Sequence, residues 1–453
     1  MADRLPRVSD EVSLATRLPV GVRDFLPRAA ARRRAIAEAL LAEFERWGYE
    51  RLITPAFEYA DVLERGLGKD SRQAALRFVE PATGEVVALR PDITPQVARV
   101  AATRLADVAG ALRLCYEGSV LRLLPGARGQ RELIQAGIEL VGVAAPDGDG
   151  EVLGLALAAL GAVGLADATL DVGHVALVRA ALDGIDDPAQ RAELALLVAR
   201  KDRAGVAHAA AGLPPRRRRL LDALPDLAGA PDDVLRRARL LPLDAACRAA
   251  LDDLARALEL AHSTMPIGSA PAQLVLDLGE TRGFDYYTGI RFAGYVTGAG
   301  DALLRGGRYD DLVARFGRDA CATGFAVDVE QVAQAQKQRG AAVPAGAPLV
   351  LVVERGTQAE RGFALACALR GRGLRAATEL GGGRTDALLL EHARALGARA
   401  VLLVDGRSAR VHDLACGTSR VAAAAAVAGA VRGDGQALVR ELALGPVARK
   451  GRA

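Results

Sequence analysis

The sequence Glu132-Leu-Ile-Gln-Ala-Gly-Ile-Glu-Leu-Val-Gly142 has the composition of a β-strand. A β-rich run at 112–116 precedes it across a turn that contains proline and glycine, which indicates an antiparallel hairpin. Strand side chains alternate between the two faces of a sheet, so Gln135, Gly137 and Glu139 share one face. The hairpin therefore predicts an antiparallel sheet with a polar pocket on one side.

Length and composition are those of a folded globular protein with more than one domain. The chain has 453 residues, of which 51% are hydrophobic and 25% are charged. Its longest uncharged apolar run, 152–166, is shorter than the roughly 20 residues of a membrane-spanning helix, so we expect a buried helix and no membrane partner. The first residues lack the apolar core of a signal peptide and the five cysteines show no paired spacing, which indicates a cytoplasmic protein.

The charge pattern does not point to nucleic acid. The net charge is only +4, and the strong basic run at 216–219 is typical of a solvated helix face. We therefore expect no nucleic-acid partner. No spacing of cysteine and histidine provides a ligand set for a metal ion, so we also expect no metal and no cofactor.

Secondary-structure signals divide the chain into two domains and a linker. The predicted parts are a first domain at 1–335 with a helical insertion at about 175–265, a linker at 336–348 that is rich in glycine, alanine and proline, and a second domain at 349–453. The second domain alternates strand and helix, which predicts a small, mostly parallel α/β fold. Within the first domain we expect a strand at 286–295 and a helix at 324–335.

Three groups of polar side chains fall at strand ends and turns of the first domain. They are Arg90 with Asp92 and Thr94, Arg122 with Gln135 and Glu139, and Arg282 with Asp285, Tyr286 and Tyr287. An amino acid ligand needs an anionic partner for its ammonium group and a cationic partner for its carboxylate, and hydrogen bonds to charged groups contribute about 1.5–3 kcal/mol each. The groups supply both kinds of partner, although each alone is also typical of an ordinary ion pair.

Four segments carry a resemblance to a known family. They are Leu18-Pro-Val-Gly-Val-Arg-Asp-Phe-Leu-Pro27, the segment 47–55, Thr281-Arg-Gly-Phe-Asp-Tyr-Tyr287 and Arg305-Gly-Gly-Arg-Tyr-Asp310. Over about 18–335, and more weakly in the tail, the chain resembles the class II aminoacyl-tRNA synthetases of the histidyl type. This resemblance implies an α+β fold, with an antiparallel sheet flanked by helices, a helical insertion and a smaller C-terminal α/β domain similar to an anticodon-binding domain. In that family the segment matching 47–55 forms a dimer interface.

The resemblance also implies roles for individual residues. Asp92 and Thr94 would face a bound amino acid, and Arg122 would be the arginine of the second family motif. Gln135 and Glu139 would read the ring and the ammonium group of histidine. The pocket would be closed by Arg282, Tyr286 and Tyr287. We expect all eight residues to bind histidine and none of them to be catalytic.

Two positions depart from the synthetase pattern. The family has a glutamate two residues after the arginine of its second motif, whereas Leu123 and Leu124 follow Arg122 here. Its third motif ends in an arginine that contacts the γ-phosphate of ATP, whereas this chain has Gln331. Glutamine is neutral and cannot pair bidentately with phosphate oxygens. The loss of one such electrostatic stabiliser typically costs a factor of about 10²–10³ in rate, so we do not expect adenylation.

A second family fits both the matches and the departures. The segment 89–102 resembles the regulatory subunits of ATP phosphoribosyltransferase, in which an aspartate stands where the synthetases carry a glutamate, as Asp92 does here. That resemblance implies a subunit without a reaction of its own. It would activate a short catalytic subunit at the first step of histidine biosynthesis, relay inhibition by L-histidine, and assemble as dimers within a hetero-octamer. The alternative is a histidyl-tRNA synthetase or a divergent tRNA-binding paralogue, which the synthetase-like tail at 391–420 favours.

Overall fold

The structure is a computed structural model that describes residues 17–123, 130–264, 273–281, 286–342, 348–356, 359–379, 384–405 and 408–442. The chain divides into two compact units, Met1–Val343 and Pro344–Ala453. Each unit has its own sheet and its own hydrophobic core. None of the helices in the described residues is long and apolar enough to cross a membrane.

The first unit begins with a long helix and a small three-stranded sheet. The elements up to the polar hairpin are α1 (Pro27–Arg46), β1 (Glu50–Arg51), β2 (Phe57–Tyr59), α2 (Ala60–Arg65), α3 (Lys69–Ala74), β3 (Arg77–Val79), β4 (Val86–Leu89) and α4 (Thr94–Thr103). Helix α1 buries Ile36, Leu40 and Phe44, which recur every fourth residue and form one face. It ends before Gly48, whose φ of 82° suits a glycine.

The remaining elements of the first unit build its large sheet and its helical cover. They are β5 (Leu112–Leu121), β6 (Glu132–Val141), α5 (Asp147–Ala162), β7 (Thr169–His174), α6 (Val175–Leu182), α7 (Pro188–Ala199), α8 (Arg203–Ala209), α9 (Pro215–Ala223), β8 (Ala228–Gly229), α10 (Pro231–Arg239), α11 (Ala245–Ser263), β9 (Gln273–Asp277), β10 (Ile290–Tyr295), β11 (Leu304–Arg308), α12 (Asp311–Ala314), β12 (Ala322–Asp328) and α13 (Val329–Gln338). A 3-10 turn at Leu224–Asp226 follows α9.

In the described part of the first unit, nine strands form one sheet in the order β1-β5-β6-β12-β11-β10-β7-β9-β8. The run from β5 to β7 is antiparallel throughout, which confirms the predicted hairpin and the predicted kind of sheet. Strand β6 lies between β5 and β12, so residues distant in sequence meet on it. Glu139 stands opposite Leu114 on one side and Gly324 on the other.

The two faces of β6 have different surroundings, as the alternation predicts. Ala136, Ile138 and Leu140 point into the main core, which α1, α5 and α11 cover. Gln135 and Glu139 point to the other face, where α4 and α12 pack over a smaller cluster that contains Tyr116 and Tyr309. The polar face of β6 is therefore enclosed and not exposed to solvent.

Two predictions about secondary structure are wrong in part. Residues 324–335 are not one helix, because β12 continues to Asp328 and only then does α13 begin. The pairing of β12 with β6 and β11 overrides the local helical pattern. The predicted strand at 286–295 begins only at Ile290, and Tyr286 and Tyr287 lie in the turn before it.

The second unit has a mixed sheet in the order β14-β13-β15-β16-β17. Its elements are β13 (Leu349–Glu354), α14 (Ala359–Arg370), β14 (Arg375–Thr378), α15 (Asp386–Ala395), β15 (Ala400–Asp405), β16 (Ser408–Asp413), β17 (Thr418–Ala422), α16 (Ala424–Val431) and α17 (Gln436–Leu442). The first three strands are parallel, as expected. Strands β16 and β17 extend the sheet in antiparallel fashion, so the prediction of a mostly parallel sheet is wrong for this half.

Candidate functional site

A cavity of about 160 Å³ lies over the polar face of β6, between strands β11 and β12 and the start of α4. Six of the predicted site residues line it: Asp92, Thr94, Arg122, Gln135, Tyr286 and Tyr287. Glu139 lies directly behind this lining, against Gly324. Arg282 and Asp285 fall outside the described residues. The hairpin, the start of α4 and the turn before β10 are thus brought together in one place.

Glu139 is the most buried charged group at the cavity, with 2% of its surface exposed. Its Oε1 accepts a hydrogen bond from the Tyr116 hydroxyl at 3.3 Å. Its Oε2 has no hydrogen-bond partner among the described residues. Burial raises the pKa of the Glu139 carboxyl well above its ordinary value, and the charge of Asp92 adds to this rise, while the hydroxyls of Thr94 and Tyr116 oppose it.

Gly324 makes room for the Glu139 carboxylate. A Cβ at position 324 would lie 2.2 Å from Glu139 Oε2 and 2.6 Å from the Tyr309 hydroxyl. Both distances are far shorter than any real contact, so a larger residue would have to displace these two groups. The absence of a side chain at Gly324 therefore lets the carboxylate approach the cavity wall.

Two more polar atoms at the cavity have no partner within the described part of the chain. They are the side-chain carbonyl Oε1 of Gln135 and the hydroxyl of Tyr309. Both residues line the cavity. Buried polar groups in folded proteins are nearly always hydrogen-bonded, and an unpaired one costs about 1–3 kcal/mol. Together with Glu139 Oε2, they form a group of three buried polar atoms without a hydrogen-bond partner among the described residues.

Aromatic rings form one wall of the cavity. The Tyr286 ring lies 5.3 Å from that of Tyr287, edge to face, and 5.5 Å from that of Tyr309. Burial raises the pKa of the Tyr287 hydroxyl to about 12 and that of Tyr286 well above its ordinary value. Both hydroxyls therefore stay protonated at neutral pH. The wall provides flat apolar surface together with neutral hydrogen-bonding groups.

The start of α4 brings two predicted residues to the cavity and directs a third elsewhere. Asp92 Oδ1 accepts a hydrogen bond from the backbone N–H of Ile93 at 2.8 Å, and the Thr94 hydroxyl lies 3.4 Å from that of Tyr116. Arg90 instead donates to the backbone oxygens of Thr54 at 2.9 Å and of Ser119 at 2.7 Å. Its buried guanidinium ties three chain segments together, so its role is structural.

Asp328 lines the cavity at the junction of β12 and α13, where it stands opposite Gln135 in the sheet. Its Oδ1 accepts hydrogen bonds from the backbone N–H groups of Glu330 at 2.9 Å and Gln331 at 3.2 Å, as a helix N-cap does. Burial raises the pKa of Asp328, which those two N–H groups and the charge of Arg122 oppose. Arg122 itself donates to the backbone oxygen of Pro91 at 2.8 Å.

The first turn of α13 contains Glu330 and Gln331, whose N–H groups donate to this cap. Glu330 has 4% of its surface exposed and is held by Arg33, whose Nε and Nη2 donate at 2.6 and 2.5 Å, and by Arg23 at 3.0 Å. Gln331 is the residue that the sequence resemblance matches with the phosphate-binding arginine of the synthetases, and its Oε1 has no partner among the described residues. Glu330 thus joins α1 to α13 and is not part of the cavity lining.

The cavity has no surplus of positive charge within its described lining. Arg122 and Arg305 are balanced by Asp92 and Asp328, and Arg305 forms an ion pair with Asp301. Nucleotide triphosphates bind where several donors or cations converge on the phosphates. The described lining instead carries two cationic and two anionic side chains.

Sequence reasoning missed Tyr116, Tyr309 and Asp328. Tyr116 could have been found from the hairpin register, which places it opposite Gly137 on the polar face. The position of Asp328 was hidden by the expected helix at 324–335. Tyr309 follows a glycine-rich strand, and no local signal indicated that its ring reaches the same cavity as Tyr286.

Comparison with known proteins agrees with the fold. The family model described as histidyl-tRNA synthetase matches residues 21–332. An ATP phosphoribosyltransferase regulatory subunit from Syntrophotalea carbinolica is 37% identical over 367 residues, which cover 80% of this chain and 85% of that protein. The chain belongs to this family of regulatory subunits. A relative with the same description from Anaeromyxobacter dehalogenans is 43% identical over 324 residues, covering 70% of this chain and 90% of that protein.

A solved structure extends the match to both units. It is described as an ATP phosphoribosyltransferase regulatory subunit/histidyl-tRNA synthetase from Bacillus halodurans, and it is 28% identical with a TM-score of 0.74. The match covers 87% of this chain and 99% of that one. The predicted fold class is confirmed: a class II synthetase-like α+β fold with a large central sheet and a separate, smaller C-terminal sheet domain.

Proposed function

We propose that this chain is a non-catalytic subunit that binds L-histidine in the cavity over β6 and transmits its occupancy to a short catalytic subunit of ATP phosphoribosyltransferase. In this proposal the chain activates the catalytic subunit, a glycosyltransferase of the first step of histidine biosynthesis, and relays feedback inhibition by histidine. The two proteins would work in the cytoplasm, with dimers of this chain in a hetero-octamer.

One observation carries the proposal: Glu139 is buried at the cavity without a cationic partner among the described residues, and its Oε2 is unpaired. An isolated buried carboxylate is costly to ionise unless a cation or several donors approach it. The ammonium group of an amino acid would supply that charge and several N–H donors. Gln135 Oε1 and the Tyr309 hydroxyl would accept or exchange further hydrogen bonds with an imidazole ring.

The size and shape of the cavity support the same ligand class. Its volume of about 160 Å³ is below the ~300–1,000 Å³ of sites for drug-sized ligands, which suits a single small molecule. The tyrosine wall offers flat surface for an imidazole ring. Arg122 lines the cavity, and in this proposal its guanidinium meets the carboxylate of the ligand.

The first turn of α13 supports the part of the proposal that gives this chain no reaction of its own. Gln331 provides no positive charge for a phosphate, and Glu330 is held by Arg33 and Arg23. A protein that retains amino acid contacts without phosphate contacts can sense its ligand but not activate it. The alternative of an active histidyl-tRNA synthetase would need phosphate contacts that the described lining does not supply.

The proposal is tested by reconstitution with a purified short catalytic subunit. We expect the chain to raise the rate of phosphoribosyl transfer to ATP, and histidine to inhibit the complex. Glu139→Gln should leave activation in place and raise the histidine concentration for half-inhibition by roughly 10- to 150-fold, the equivalent of about 1.5–3 kcal/mol. Glu38→Gln is the matched control, because Glu38 is exposed and forms a surface ion pair with Arg34 on α1.

Two results would contradict the proposal. If the complex with Glu139→Gln is inhibited at the same histidine concentration as the wild-type complex, histidine acts elsewhere. If the catalytic subunit is equally active with and without this chain, the chain is not its activator.

A further inference from the structure

The carboxylate of Asp328 occupies a position where phosphate groups usually bind. Backbone N–H groups at the N-terminus of a helix, together with the helix dipole, form a ready site for an anion. In α13 the N–H groups of Glu330 and Gln331 already donate to Asp328 Oδ1, at 2.9 and 3.2 Å. The helix N-terminus that borders the cavity is therefore filled by an anion from the chain itself.

One cation of the lining, Arg122, belongs to the surroundings of the same carboxylate. The charge of Arg122 acts on Asp328, and both residues line the cavity. Arg122 is further held by its hydrogen bond to the backbone oxygen of Pro91 at 2.8 Å. A phosphate that entered this end would meet a helix terminus whose N–H groups already donate to Asp328, an arginine already held by a backbone oxygen, and a negative charge within the lining.

We propose that Asp328 is a specificity-determining residue that acts as a built-in anion and excludes nucleotide phosphates from the cavity. This inference rests on the proposed function, in which the cavity takes an amino acid. It extends that function. The neutral Gln331 only fails to attract a phosphate group, whereas the negative charge of Asp328 repels one. An amino acid, with a single carboxylate and an ammonium group, is tolerated where a molecule with several negative charges is repelled.

The test compares charge with shape at this one position, in the full-length chain. Asp328→Asn and Asp328→Ser keep a side chain that caps a helix but remove the charge, since Asn, Asp and Ser are all favourable N-caps. Asp328→Gly removes both the charge and the side chain. Asp244→Asn is the matched control, because Asp244 caps α11 by accepting from the N–H of Cys247 at 2.8 Å and does not line the cavity.

The measurement is isothermal titration with magnesium–ATP and, separately, with histidine. We expect Asp328→Asn and Asp328→Ser to bind ATP on the order of tenfold more tightly than the wild type, and Asp244→Asn to bind it as the wild type does. The inference is overturned if neither neutral variant gains ATP affinity. It is also overturned if only Asp328→Gly gains, since the excluded space and not the charge would then be decisive.

The histidine titration separates this inference from the proposed function. If the wild-type chain and its complex bind no histidine, the proposed function fails whatever the ATP result. If histidine binds but removal of the charge at Asp328 leaves ATP affinity unchanged, only the role of Asp328 fails. Thermal unfolding of each variant shows whether the fold is intact, and the two neutral caps provide independent chances of a folded protein.

Discussion

Two buried glutamates of the first unit have opposite surroundings. Glu330 has 4% of its surface exposed and accepts three hydrogen bonds from Arg33 and Arg23. Glu139 has 2% exposed, yet it accepts one hydrogen bond from Tyr116 and keeps Oε2 unpaired among the described residues. The first carboxylate is fully satisfied by the chain, and the second is not.

This difference distinguishes a residue that holds the fold from one that awaits a ligand. Removal of one partner of a buried ion pair destabilises the fold, because the other partner is left buried and unpaired. A buried carboxyl without a cation is instead a source of strain that a positively charged ligand can relieve. The contrast predicts that substitution of Glu330 lowers stability, whereas substitution of Glu139 lowers affinity.

The largest effect is expected for Glu330→Ala. It leaves the largely buried Arg33 without its bidentate partner, so we expect the free energy of unfolding of the first unit to fall by about 3–5 kcal/mol. Urea unfolding followed by the fluorescence of Trp47, the only tryptophan in the sequence, reports on this unit because Trp47 directly follows α1. Glu38→Ala removes only an exposed pair and should change the stability by less than about 0.5 kcal/mol. Equal unfolding curves for Glu330→Ala and Glu38→Ala would show that the buried ion pair of Glu330 does not stabilise the fold.

The second largest effect, a loss of histidine affinity, is expected for Glu139→Gln in the isolated chain. We expect its histidine affinity, measured by isothermal titration, to fall by about 1.5–3 kcal/mol, because the charge that meets the ammonium group is lost. Its stability at neutral pH should not fall, since no ion pair is broken. Strong destabilisation of Glu139→Gln without loss of affinity would place Glu139 in the same class as Glu330.

A smaller effect is expected for Tyr309→Phe. The Tyr309 hydroxyl has no partner among the described residues, so its removal should leave the stability unchanged and lower histidine affinity by about 0.5–1.5 kcal/mol. Tyr49→Phe is the matched control, because the Tyr49 hydroxyl donates to Glu151 Oε1 at 3.0 Å. That variant should lose stability and keep its affinity. The reverse pattern would show that the unpaired hydroxyl has no role in binding.

The smallest signal is a proton released on binding. The pKa of the Glu139 carboxyl is raised, so the free protein holds this proton at pH values between the ordinary glutamate range and the raised value. A bound ammonium group favours the ionised form, so histidine should displace a fraction of a proton from the wild type but none from Glu139→Gln. Titrations in two buffers of different ionisation enthalpy measure this difference. Equal proton release by both proteins would mean that Glu139 is already ionised.

The same raised pKa predicts how stability depends on pH. Below the ordinary glutamate range, Glu139 is protonated in both the folded and the unfolded chain, and it carries no penalty. As the pH rises towards the raised pKa, only the unfolded chain ionises freely, so the folded wild type loses stability. Glu139→Gln should therefore gain stability relative to the wild type over this range, as measured by urea unfolding at a series of pH values.

One wall of the cavity could be predicted because it lies on one hairpin. The alternation along 132–142 placed Gln135 and Glu139 on one face, and the structure has both there. The family resemblance added Asp92, Thr94 and the two tyrosines of the turn before β10, which line the same cavity. Periodicity and motif spacing were sufficient where the contacts are local.

The rest depends on pairing between distant segments. The sequence of β12 predicts the beginning of a helix, but the segment forms a strand because β6 and β11 pair with it. This pairing brings Asp328 to the cavity wall. The sequence predicts that Arg90 belongs to a binding group. Its hydrogen-bond partners Thr54 and Ser119 come from other parts of the chain, so its role is structural. Such long-range contacts leave no local pattern in a single sequence.

The central claim, that this chain binds histidine without activating it, is tested most directly by histidine-dependent exchange between ATP and pyrophosphate. The account predicts no exchange by the purified full-length chain at a histidine concentration that saturates it by titration, while a histidyl-tRNA synthetase in the same buffer is active. Exchange at the rate of that synthetase would contradict the account, because Gln331 and Asp328 would then not prevent the use of ATP.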